Sequence, residues 1–179
     1  MLPTARLVTA PGDAGGGGLQ FARHFGTEVT AVCSTRKKEQ SRSLGADYVI
    51  DYTKEDFAVW SRRYNLILAV NGNYPLLRCR RILKSGGIYV MIGGTLKQIF
   101  KALLFGRFLS FGSRKIRSLA AKPNREDIGF ISKLAEEGRI SPVIQKSYPF
   151  EKTEEVMHHA GECHARGKVV IHVAGSPEV

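Results

Sequence analysis

One short stretch, Ala10-Pro11-Gly12-Asp13-Ala14-Gly15, carries the residue pattern with the clearest chemical meaning in this chain. Ala10-x-Gly12-x-x-Gly15 is the G-x-G-x-x-G arrangement with alanine in first place. The chemistry it suits is recognition of a pyrophosphate. A helix N-terminus offers unpaired N–H groups and about half a positive charge, and the backbone can approach a phosphate only where side chains are missing. Gly12 would stand where the backbone nears the pyrophosphate, and Gly15 where helix and strand pack closely. Asp13 sets a carboxylate beside that place, and Gly16, Gly17 and Gly18 fill the first helical turn at about 1 kcal/mol each against alanine. The competing reading is a glycine loop that binds nothing, and the flanking elements favour the first.

Other candidate chemistry is weaker. His158, His159, Cys163 and His164 gather around Glu162, but the spacings of five do not match a closed zinc site. No G-x-S-x-G elbow supports nucleophilic catalysis. His24 reads as a surface residue of the first helix. Cys33, Cys79 and Cys163 show no paired spacing, which argues against a disulfide framework and for a reducing compartment, read as cytoplasmic.

The elements that must position the glycine turn can be read on either side of it. Leu7 to Thr9 is apolar and β-branched, and Leu19, Phe21, Ala22 and Phe25 follow at helical spacing with Gly26 as C-cap. Val29 to Val32 is a continuously apolar strand of the kind a parallel sheet covered on both faces requires. Strand, glycine turn, helix and strand within about 30 residues is the context that gives the motif its meaning. The rhythm continues: helix 38–44 stopped by Gly45, strand 46–50, helix through Phe57 and Trp60, strand 64–70, helix 76–83, turn 84–87, strand 88–92. A sixth strand is expected within 114–121. Asn124 caps a helix over 125–137, Val143-Ile144 is briefly extended, Thr153 starts a helix and 168–173 is a closing strand. The expectation is a doubly wound α/β fold, three layers around a parallel sheet. It forms one nucleotide-binding Rossmann domain over 1–175, with a frayed tail at 176–179.

Composition excludes little and permits this. At 179 residues, 43% hydrophobic and 24% charged, the chain can build one domain with a real core. No apolar run of about 18 residues suggests a membrane-spanning helix, and Pro3, Arg6 and the early glycines break any signal-peptide core. Residues 96–111 form a dense apolar stretch interrupted by basic residues, either a buried helix or a surface for a membrane or another subunit. The net charge of +11 is spread over separate clusters without interleaved aromatics, so nucleic acid is not the expected partner.

Six segments in order extend the argument to a family: 29–35, Leu44-Gly45-Ala46-Asp47, Val49-Ile50-Asp51-Tyr52, Leu83-Lys84-Ser85-Gly86-Gly87, Ala121-Lys122-Pro123-Asn124 and 165–170. Together they resemble the cofactor half of medium-chain dehydrogenases/reductases, the superfamily of zinc-type alcohol dehydrogenases and quinone oxidoreductases, most closely the zinc-free branch. The resemblance implies NADPH or NADH at the carboxyl ends of the strands, without zinc, and hydride transfer to a carbonyl, enone or quinone. It implies that Ala10 to Gly15 take the pyrophosphate. Ser34, Thr35, Arg36 and Lys37 stand where the second strand ends and the adenosine ribose is read. An NAD-preferring site places an acid there; hydroxyls and two cations suit a 2′-phosphate instead, so NADPH is expected, with NADH possible. Tyr52 would lie against the adenosine end, with Asn71 and Gly72, and Ile92 and Gly93, approaching the ribose and nicotinamide.

Family members carry a GroES-like catalytic domain ahead of the nucleotide domain, whereas here the first strand begins within a few residues of Met1. The expectation is therefore a chain lacking that domain, with cofactor residues but no catalytic residue to name, inactive or weakly active alone. The alternative is a non-catalytic nucleotide-binding or dimerisation module, pairing through the sheet edge near Ile116.

Overall fold

A computed structural model describes residues 6–9, 15–57, 62–70, 75–93, 112–119, 122–161 and 167–173. The chain forms two compact units, Met1–Ile140 and Ser141–Val179.

In the first unit the strands are β1 (Arg6–Thr9), β2 (Glu28–Cys33), β3 (Tyr48–Asp51), β4 (Tyr64–Val70), β5 (Leu83–Ile92) and β6 (Lys115–Leu119). They build one sheet in the order β3-β2-β1-β4-β5-β6, every neighbouring pair parallel. Helices α1 (Gly15–His24), α2 (Lys38–Ser43), α3 (Leu76–Ile82) and α4 (Arg125–Glu136) intervene between strands or follow the last of them. The strand order reverses between β1 and β4, the switch point at which doubly wound sheets open a crevice for ligands.

Two core clusters show that the sheet is covered on both faces. Side chains alternate along a strand. Val29 and Ala31 of β2, with Leu66 and Leu68 of β4, join Leu19 and Ala22 of α1 and Leu44 after α2. Val32, Ile67 and Ala69 point the other way and pack with Cys79 and Ile82 of α3, Tyr89, Met91 and Ile116. Burying each large aliphatic of this kind contributes roughly 1.5–3 kcal/mol, which is why β2 carries apolar side chains on both of its faces.

Helix ends follow their residues. Gly26 takes φ 67°. Its N–H donates to the Arg23 carbonyl at 2.9 Å and the Thr27 N–H to the Ala22 carbonyl at 3.1 Å, closing α1. At α4 the Asn124 side-chain oxygen accepts from the Asp127 N–H at 2.7 Å, as the sequence predicts.

Boundaries differ from expectation in several places. A single 3-10 turn, Thr35–Lys37, precedes α2. Strand β3 runs from Tyr48 to Asp51, two residues later at its start than expected. Helix α3 ends at Ile82, and Leu83 already pairs with Tyr64; the expected turn at 84–87 is an irregularity inside β5, where the register jumps before Leu66 meets Ile88. Gly86 takes φ 77° there. The helix expected through Trp60, the apolar stretch 96–111 and the tail 176–179 lie outside the described residues.

In the second unit β7 (Ile144–Pro149) and β8 (Lys168–His172) pair in parallel, with α5 (Thr153–Gly161) between them in the chain. The six-residue β7 exceeds the brief extension expected at Val143-Ile144 because only Tyr148 of it is buried, so its sequence carries no apolar alternation.

Candidate functional site

The carboxyl ends of β2 and β3 form the best-defined corner of the molecule. Cys33 and Asp51, the last residues of the two strands, are register partners. The Tyr52 N–H donates to the Cys33 carbonyl at 3.0 Å, so pairing continues one residue past the strand. Beyond Cys33 the chain leaves in an extended Ser34 and enters the Thr35–Lys37 turn.

Asp51 ties the two strand ends together. Its carboxylate is buried, 1% exposed. One oxygen accepts from the Thr35 hydroxyl at 2.5 Å. The other accepts from the Thr53 hydroxyl at 2.6 Å and the Thr53 N–H at 3.0 Å. Three donors favour the charged form, and the Thr35 hydroxyl, then the Thr53 hydroxyl, draw the carboxyl down to about 2. The sequence reading did not single out Asp51 as a site residue. Its only signal was an acid at a strand end flanked by hydroxyl residues 16 positions before and two after it.

The predicted residues fall as follows. Ser34, Thr35, Arg36, Lys37 and Tyr52 are brought to this one corner; Thr35 and Arg36 are exposed, Ser34 and Lys37 half-buried, and Tyr52 52% exposed. Gly15 opens α1 a few residues past the end of β1. Ile92 ends β5, and Gly93 turns the chain away from it at φ 69°. Ala10, Pro11, Gly12, Asp13, Ala14, Asn71 and Gly72 lie outside the described residues. The first turn of α1 holds no acidic residue. A Cβ on Gly17 would meet nothing within 4 Å, and one on Gly18 only Leu68 Cδ1 at 3.9 Å. A Cβ on Gly16 would come within 3.3 Å of Leu44 Cδ1, so of these three glycines only Gly16 is tightly packed.

Among the described residues, thiol and imidazole chemistry finds no support. Burial raises Cys33 above the usual thiol range and pushes Cys79 up to about 12, so neither is a ready nucleophile. His24 is half-buried with its ring edge-on to Phe25 at 5.1 Å and to Phe130 at 6.3 Å. His158 is exposed; Cys163 and His164 lie outside the described residues. Among the described residues no three His, Cys, Asp or Glu side chains gather to hold a metal, and no helix is long and apolar enough to cross a membrane.

Comparison with known proteins agrees with this geometry. The chain is 31% identical over 195 residues to the mitochondrial NAD(P)H oxidoreductase RTN4IP1 of Bos taurus, an alignment covering 95% of this chain and 48% of the relative. It is 28% identical over 170 residues to a chloroplast envelope quinone oxidoreductase homolog of Arabidopsis thaliana, covering 92% and 51%. The fold is shared with the quinone oxidoreductase of Coxiella burnetii at TM-score 0.80 and 22% identity, over 94% of this chain and 53% of that one. The chain thus spans about half the length of the relatives it matches. Residues 44–171 match the family model described as zinc-binding dehydrogenase. With its parallel sheet in the order β3-β2-β1-β4-β5-β6 and a family match over most of its length, the chain belongs to the zinc-binding dehydrogenases of the medium-chain dehydrogenase/reductase superfamily, and corresponds to their NAD(P)-binding part.

Proposed function

We propose that this chain binds NADPH in preference to NADH and serves as the cofactor-binding half of a zinc-independent oxidoreductase that reduces a carbonyl, enone or quinone. The observation that carries the cofactor preference is the turn after β2, where Thr35, Arg36 and Lys37 occupy the place an NAD-preferring site gives to an acid. Charge-assisted hydrogen bonds from Arg36 and Lys37 suit a 2′-phosphate. Tyr52 offers an exposed ring beside the same turn for the adenosine end. The start of α1 and the preceding residues, Ala10 to Gly15, would take the pyrophosphate. Asn71, Gly72, Ile92 and Gly93, past the ends of β4 and β5, would border the ribose and nicotinamide. When bound, the nicotinamide supplies the hydride; the residues of this chain bind and orient it. The substrate class follows relatives named as quinone oxidoreductases and as an NADPH-dependent alkenal/one oxidoreductase. The reading takes 1–175 as one nucleotide-binding domain. The free, buried Cys33 and Cys79 suit a reducing compartment, read here as cytoplasmic. Nucleic acid is not part of the reading.

A second reading is a nucleotide-binding or dimerisation module without turnover. It is favoured by β6 standing last in the order of the described strands, with its Leu119 52% exposed. Sedimentation at increasing concentration tests it: a monomer throughout removes the dimer.

Calorimetric titration with NADPH and NADH, alongside an Arg36→Ala/Lys37→Ala double variant, tests the first reading. The expected result is micromolar NADPH binding that the double variant weakens by about 1.5–3 kcal/mol, the range of a charged hydrogen bond, with NADH little changed. Binding of neither nucleotide would mean that Asp13 and the glycine run have spoiled the phosphate turn, and that oxidoreductase describes ancestry only.

A further inference from the structure

We propose that Asp51 is the positioning residue for cofactor choice: it never touches the nucleotide, but its bonds to Thr35 and Thr53 hold the Ser34–Lys37 turn and withdraw an acid from the ribose site. The inference rests on the NADPH reading above and deepens it. Three features of the corner carry it.

The first is the geometry of the tie. Thr35 is the first residue of the cation-bearing turn, and its hydroxyl reaches across to the neighbouring strand end, 2.5 Å from the Asp51 carboxylate. Thr53 holds the second oxygen from the far side through both its hydroxyl at 2.6 Å and its N–H at 3.0 Å. The turn is thus anchored at one end by this tie and at the other by the Lys37 N–H to the Ser34 carbonyl at 3.0 Å and the Lys38 N–H to the Thr35 carbonyl.

The second is the donor count. A threonine hydroxyl has one proton. While Thr35 donates to Asp51 it has no proton for a phosphate, and Thr53, spent in the same way, has none either. Thr35 is therefore a support and not a phosphate ligand, which leaves the 2′-phosphate to Ser34, Arg36, Lys37 and the backbone N–H groups of the turn.

The third is where the acid stands. Asp51 ends the strand next to β2, paired in register with Cys33. A free carboxylate at this corner would accept from a ribose 2′-hydroxyl and repel a 2′-phosphate. Burial and three donors engage both oxygens of that carboxylate, which stays ionised, so neither is available to a ribose 2′-hydroxyl. Removing the Thr35 hydroxyl releases one oxygen, so the turn loosens and the acid reappears. Both effects push cofactor choice the same way.

The test is a Thr35→Val and Thr35→Ser pair, with Asp51→Asn as a third variant, each titrated with NADPH and with NADH at pH 7. Thr35 is exposed, so its variants keep the fold decisive even where the buried Asp51→Asn does not survive. The expected result is that Thr35→Val lowers the NADPH-to-NADH affinity ratio about tenfold or more, the scale of one charged hydrogen bond, while Thr35→Ser keeps the wild-type ratio. Equal weakening of both nucleotides by Thr35→Val, or an unchanged ratio, overturns the positioning role and leaves the NADPH reading intact. A wild-type chain that binds neither nucleotide, or prefers NADH, overturns the NADPH reading and the inference with it.

Discussion

The two ends of the same parallel strands are held together by opposite means. At the amino ends, charges meet charges. Arg62, just before β4, reaches Glu28 at the start of β2 at 2.7 Å and lies 3.6 Å above the ring of Tyr48 at the start of β3. Asp47 accepts from the Val29 N–H at 2.8 Å and pairs with Arg23 of α1 at 3.1 Å. At the carboxyl ends the acid, Asp51, is satisfied by neutral hydroxyls, and the cations Arg36 and Lys37 project from the adjoining turn. One edge spends its arginines on the fold. On the reading proposed above, the other offers Arg36 to a ligand.

Breaking the amino edge should therefore cost stability and leave nucleotide binding alone. Gly87→Ala is the severest case: its Cβ would stand 2.9 Å from the Lys84 carbonyl oxygen, 3.0 Å from that of Tyr64 and 3.1 Å from Leu83 Cδ2. Backbone oxygens cannot step aside cheaply, so we expect a loss of about 2–3 kcal/mol in urea unfolding. Arg62→Ala removes the partly buried ion pair and the ring contact together, for an expected loss of about 1–2 kcal/mol with NADPH affinity unchanged. Arg62→Lys should recover only a fraction, because an ammonium lacks the planar fork that spans carboxylate and ring. A drop in NADPH affinity on Arg62→Ala would show that the two edges are coupled.

The carboxyl edge answers to pH. The Asp51 carboxyl is lower in the folded chain, about 2, than its ordinary value of 3.8, so its contribution is complete above the ordinary value and is lost as pH falls toward 2. Unfolding of Asp51→Asn followed from pH 6 downward should lack the part of the acid limb that the wild type shows between about 4 and 2. The smallest effect is a gain: Gly17→Ala, with nothing near its Cβ, should stabilise α1 by about 0.5–1 kcal/mol in thermal unfolding. We expect NADPH binding to survive it.

Legibility in the sequence divides along the same line of local against distant contacts. The β2 run, the Gly26 and Gly138 helix ends and the Asn124 cap depend on residues within a few positions of one another, and each is where the sequence places it. The bulge at 84–87 and the length of β7 depend on a partner strand, and the local pattern misjudged both. At the site, Ser34 to Lys37 were legible as residues standing where β2 ends, though their 3-10 turn was not expected. The tie beneath it was not, because the register of β2 against β3 is what lays Thr35 beside Asp51. The same holds at the other edge, where Arg62 finds Glu28 34 positions earlier.

The position of β1 has a consequence for how the sheet forms. It lies at the centre, hydrogen-bonded to β2 on one side and to β4 on the other, with Leu7 paired to Leu66. The local half, β1 through β3, can assemble from short loops, whereas the β1–β4 seam closes only after a much longer loop has been brought round. Such high contact order slows folding and leaves a half-built sheet with one exposed central edge. Refolding is therefore expected to wait on the closure of that seam. The reversal of strand order between β1 and β4 should therefore be among the last features to take shape.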